Sequence, residues 1–101
     1  EWTAHEPQGL RDGLSQATID IVKYRKGVEG LPEAEAVIIQ LGRQIFAKKK
    51  VDTEIFARAL SIFGPKQLVE LVTLMGFYSS TAVLLATFDM QVDPGKEPLL
   101  P

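Results

Sequence analysis

Apolar residues recur along this chain at spacings of three and four and nowhere alternate long enough for a strand pair, so the pattern predicts helices throughout. The clearest stripe is Ala34, Val37, Ile38, Leu41 and Ile45, one buried face of a helix from Glu33 to about Lys48. Glu33 and Glu35 stand at its positive end and lysines at its negative end, as the helix dipole favours. A second stripe, Ile55, Phe56, Ala59, Leu60 and Phe63, follows Asp52, a suitable N-cap, with Val51 and Phe56 placed as a hydrophobic staple. Gly64 and Pro65 stop that helix, and Pro65 fits the first position of the next. From there to about Phe88 the chain is almost continuously apolar, the longest element predicted.

Leu68 to Phe88 is long enough to span a bilayer. Glu70, Thr73, Gly76, Ser79, Ser80, Thr81 and Thr87 interrupt it, however, and neither an aromatic belt nor a basic cluster flanks it. This pattern predicts a buried central helix of a folded domain rather than a membrane span.

Two shorter helices precede these. The first runs from Glu1 as far as Asp12, as a helix or a helix with a bend, weakened by Gly9 and Gly13. Ser15 caps the second, which passes through Ile19, Ile21, Val22 and Tyr24 and ends among Lys23, Arg25, Lys26 and Gly27. The expected architecture is therefore all-α with about five helices, over residues 1–90, followed by an extended tail at 91–101. That tail, with three prolines and a glycine, is expected to lie on a neighbouring subunit.

Composition narrows the chemistry. With 101 residues, 46% of them apolar, the chain suits one small folded domain rather than a disordered segment. It has no cysteine, which removes disulfides, thiolate nucleophiles and thiol redox pairs, and a reducing, cytoplasmic setting is expected. The net charge is −2 and the single basic cluster, Lys48-Lys49-Lys50, lacks interleaved aromatics, so nucleic acid is not an expected partner. The first residue is not Met, and the chain is expected to begin inside a longer protein.

The residues most suited to chemistry lie at the start, in Glu1-Trp2-Thr3-Ala4-His5. His5 is the only histidine, the side chain whose ordinary pKa of about 6.5 suits proton transfer near neutrality. In a helix, Glu1 and His5 share a face with Cβ atoms about 6 Å apart, so Glu1 would favour the imidazolium or fix its tautomer, and Trp2 would supply an apolar wall. On spacing alone such a pair reads first as an ordinary surface contact. No further His or Cys completes a metal set, so no metal or cofactor is expected. Glu70 reads as exposed rather than as a desolvated acid, and Ser15 and Ser61 have no His and Asp arrangement that would make a nucleophile. Tyr78 and Ser79, in Gly76-Phe77-Tyr78-Ser79-Ser80, place hydroxyls beside a small-residue notch that suits a packed helix better than a pocket.

Glu1-Trp2-Thr3-Ala4-His5-Glu6-Pro7, then Gly13-Leu14-Ser15, Leu68-Val69-Glu70-Leu71-Val72 and Gly76-Phe77-Tyr78 together resemble the carboxymuconolactone decarboxylase family, which includes the AhpD-type alkylhydroperoxidases. The resemblance spans nearly the whole chain in order. It implies an AhpD-like helical domain, of which this chain is the C-terminal part, with a long central C-terminal helix and assembly into trimers or hexamers. It also reverses the reading of His5, which would match the motif histidine of a CxxCxxxH helix, with Glu1 at the second cysteine. Thiol peroxidase chemistry is then not expected. Where many relatives have Asn after the tyrosine, this chain has Ser79.

The function implied is a cofactor-free lyase or isomerase acting on a small unsaturated carboxylic acid or lactone. His5 would be the acid/base, Glu1 its orienter, and Trp2, Tyr78 and Ser79 the substrate contacts. The competing expectation is a non-catalytic oligomeric helical binding module that keeps the family fold. A third joins them: a complementing N-terminal segment, carried in another chain, completes the site.

Overall fold

A computed structural model describes residues 2–47 and 50–100, and every described element is helical. The elements are α1 (Trp2–Arg11), α2 (Gln16–Lys23), α3 (Glu33–Ala47) and α4 (Thr53–Thr87). Within α4 two helices meet at a kink, where Gly64 has φ 74° and ψ 167°, a backbone conformation open essentially to glycine alone. The break falls where Gly64 and Pro65 are expected to end one helix and begin another, so the five helical segments read from the sequence are present as four elements, one of them kinked.

The chain divides into two compact units, one formed by the chain up to Lys26 with the stretch from Tyr78 onward, the other running from Gly27 to Phe77. In the second unit the core is Val37 and Leu41 of α3 with Ile55, Ala59 and Leu68 of α4. Ile45, Val51, Phe63 and Leu71 pack around them. Because Gly64 redirects the chain, Leu68 after the break meets the same cluster as Ile55 and Ala59 before it. A two-way bracket fixes the entry to α4: Gln44 Nε2 donates to Asp52 Oδ2 at 2.9 Å, and the Asp52 N–H donates to Gln44 Oε1 at 2.8 Å. Arg58 then ties α4 back to α3, donating to Gln40 Oε1 at 3.3 Å and lying 3.7 Å from Glu33 Oε1.

Two expectations fail here. Phe56 and Leu60 do not face the core; both are exposed, because each lies about 100° round the helix from Ile55 and Ala59, the members of the same stripe that are buried. Only Val51 of the expected staple packs against the core. Nor is the long apolar helix buried. Val69, Leu74 and Phe77 stand exposed, and in the other unit so do Val83, Leu84 and Phe88. Leu68 is the buried residue of the segment after the kink, with Leu71 packed partly against the same core. By length and composition α4 is a helix that can cross a membrane.

In the first unit, α1 and α2 form a short helical hairpin. Gly13 makes it possible: with φ 100° it lets the Leu14 N–H reach Gly9 O at 2.9 Å and its own N–H reach Leu10 O at 3.3 Å, a Schellman closure. Ser15 then caps α2, accepting from the Thr18 N–H at 3.1 Å. The end of α2 differs from expectation. Arg25, not Gly27, takes the left-handed position with φ 54°, and the Lys26 N–H bonds Ile21 O at 2.9 Å. Asp89 closes α4 in the same manner, with φ 49° and a 2.9 Å bond from the Met90 N–H to Leu85 O. The tail that follows returns to its own chain, the Leu99 N–H donating to Thr3 Oγ1 of α1 at 3.1 Å.

Candidate functional site

The first unit brings together residues that the sequence separates widely. Two faces of α1 matter. His5 points to Tyr78 of α4, their rings meeting edge to face with centroids 5.3 Å apart and planes at 87°, a favoured aromatic geometry. Trp2, Glu6 and Gly9 turn toward α2, where with Leu14, Thr18, Ile19 and Val22 they line a half-open apolar cavity of about 220 Å³, Leu14 and Val22 themselves being exposed. His5 also borders that cavity, with its side chain exposed, so the imidazole joins the apolar interior to solvent.

Gly9 shapes the floor. A Cβ at this position would lie 3.1 Å from Leu14 Cδ1, so the absent side chain is what lets Leu14 fold against α1. Ile19 is buried beside it, and Thr18, also buried, shares a hydrogen bond with Ser15 Oγ at 2.9 Å. Trp2 contributes its indole. The Trp2 Nε1 is shielded from water and has no hydrogen-bond partner among the described residues, so the ring shows the cavity carbon.

The strongest electrostatic feature is one that the sequence pattern does not reveal. Lys23 Nζ lies 3.3 Å from Glu6 Oε1, and both side chains are almost fully buried, at 13% and 8% exposure. In the sequence Glu6 is only part of a run beside His5, and Lys23 only a charge suited to a helix C-terminus. The contact spans 17 residues, a distance that no helical spacing reveals. Gly13 is the available clue, since a hairpin there brings the start of α1 beside the end of α2.

The expected site residues therefore divide. His5, Trp2 and Tyr78 share one unit, His5 touching Tyr78 and lining the cavity with Trp2. Tyr78 meets His5 from outside the cavity rather than forming its wall. Ser79, one position on and so about 100° round the helix, is half-buried and does not line the cavity. Glu1 lies outside the described residues. Among the described residues no group of three or more histidines and carboxylates converges as a metal site. Glu70 is exposed, as read from the sequence.

No family model, no curated protein and no solved structure matches this chain.

Proposed function

We propose that His5 is the acid/base of a cofactor-free lyase or isomerase that acts on a small unsaturated carboxylic acid or lactone, with the chemistry of a carboxymuconolactone decarboxylase-like protein. The observation that carries this is the position of the only histidine, at the mouth of an apolar cavity and held edge-on by Tyr78. In the decarboxylation, the bond between the ring carbon and the carboxyl breaks, carbon dioxide leaves, and the electron pair enters the conjugated system as a dienolate. The imidazolium of His5 returns a proton to carbon, a contribution of about 10² to 10⁴-fold in rate. Trp2 walls the site and Tyr78 orients the imidazole. Ser79, half-buried on the turn that carries Tyr78, is assigned a supporting contact, and Glu1 the role of orienter.

The reading extends to setting and assembly. The small polar residues between the apolar positions of α4 support a cytoplasmic protein whose exposed helix packs on other copies or on a complementing N-terminal segment in another chain. This arrangement is an AhpD-like helical fold in trimers or hexamers. The exposed apolar side chains of α4 also favour a second reading, an oligomeric helical binding module without catalysis. Incubation with unsaturated lactone acids in deuterated water separates the two. Catalysis gives carbon dioxide and a product carrying carbon-bound deuterium, and both disappear with His5→Gln; the module gives neither with the native chain.

A further inference from the structure

The tail returns to α1 by a route written into its residues. Asp89, with φ 49°, ends α4, and the chain then runs out to Asp93-Pro94-Gly95-Lys96. Proline second and glycine third are the residues that suit a type II turn, and Gly95 has the positive φ, 86°, that the third position requires. The Lys96 N–H closes the turn on Asp93 O at 3.1 Å, and Lys96 Nζ reinforces it on Asp93 Oδ2 at 3.2 Å. Pro94 and Pro98 restrict the released chain as well, so less freedom is lost when the tail folds back. Half-buried Leu99 then donates its N–H to Thr3 Oγ1 at 3.1 Å.

The helix it meets needs such a tie. α1 has 10 residues and none is fully buried, and a helix that short is marginal by itself. Pro7 inside it has no N–H, so the helical bond that position 7 would give to Thr3 O is missing and the first turn is weakened. His5 and Glu6 are anchored farther along, on Tyr78 and Lys23, whereas Leu99 anchors Thr3, the neighbour of Trp2. The tie is also easily undone. Residues 90–98 are exposed, and with Thr3, Ala4 and Leu85 the tail frames a cavity of about 240 Å³ instead of packing down.

We propose that the tail is a latch, closed by the bond from Leu99 to Thr3. Opening it frees the first turn of α1, and with it Trp2, a wall of the cavity between α1 and α2, and loosens the helix that carries His5. The latch does not depend on whether His5 transfers protons.

The test uses the whole chain, with acrylamide quenching of Trp2, the only tryptophan, and hydrogen exchange followed by mass spectrometry. Thr3→Val keeps the shape and removes the acceptor, while Thr3→Ser keeps the acceptor. Gly95→Val acts away from α1: a Cβ there meets nothing within 4 Å, so the strain falls on the backbone of the turn alone. Thr3→Val and Gly95→Val are each expected to raise the quenching constant at least twofold and to speed exchange in α1 at least fivefold, with exchange in α3 unchanged. Thr3→Ser is expected to match the native chain. Should Thr3→Val lose its helical circular dichroism, Gly95→Val, in an exposed turn, decides. Native quenching and native α1 exchange in Gly95→Val overturn the latch. So does faster exchange in α3 to the same degree as in α1, or a Thr3→Ser chain as loose as Thr3→Val.

Discussion

Glu6 and Lys23 pair at 3.3 Å with both side chains almost fully buried, and this contact joins α1, which carries His5, to α2, which forms the far wall of the cavity. Removing either partner strands a charge in a poorly solvated place, whereas removing both leaves none. Glu6→Gln or Lys23→Met alone is expected to destabilise the first unit by about 2 to 4 kcal/mol, and the double variant by less than either single change. Urea unfolding followed by circular dichroism measures this; additive losses would mean that the two groups do not interact.

Gly64 and Gly76 lie on the same helix and should respond oppositely to alanine. Gly64 has φ 74° and ψ 167°, which a side chain strains whatever the free space, so Gly64→Ala is expected to cost about 1 to 3 kcal/mol. Gly76 is helical, and a Cβ added there would meet nothing within 4 Å, so Gly76→Ala is expected to gain about 0.5 to 1 kcal/mol in the isolated chain. Paired thermal melts give the sign of each.

Arg25 holds the left-handed turn at the end of α2, a position glycine adopts without strain. Arg25→Gly is expected to raise stability by about 0.5 to 1 kcal/mol, the relief of backbone strain outweighing the added freedom of the unfolded chain. A lower melting temperature for this variant would show that the Arg25 side chain contributes more than its backbone loses.

Much of the helical layout is legible in the residues because its causes are local. The Ser15 cap, the Val37 and Leu41 stripe and the stop at Gly64 each depend on a few neighbouring positions, and each is found where the pattern puts it. The turn at Arg25 is hidden because the carbonyls of Ile21 and Val22 can be closed by any residue that tolerates a positive φ, and Gly27 is the more obvious choice. Burial is harder still. Phe56, Val69 and Phe77 are apolar whether or not anything covers them, so periodicity identifies a face but not its partner. At the site, His5 and Trp2 stand out by rarity, while the pairing of Glu6 with Lys23 and the cavity depend on how the Gly13 turn folds two helices together.

Proton transfer by His5 at the cavity mouth is the central claim, and the steady-state rate of His5→Gln on a carboxylated butenolide tests it most directly. His5 is exposed but packs its ring on Tyr78, so the substitution should keep the helical content and cost no more than about 0.5 to 1.5 kcal/mol of stability. A fall in kcat of about 10² to 10⁴-fold with KM little altered is predicted. A folded His5→Gln chain with the native kcat would contradict the account.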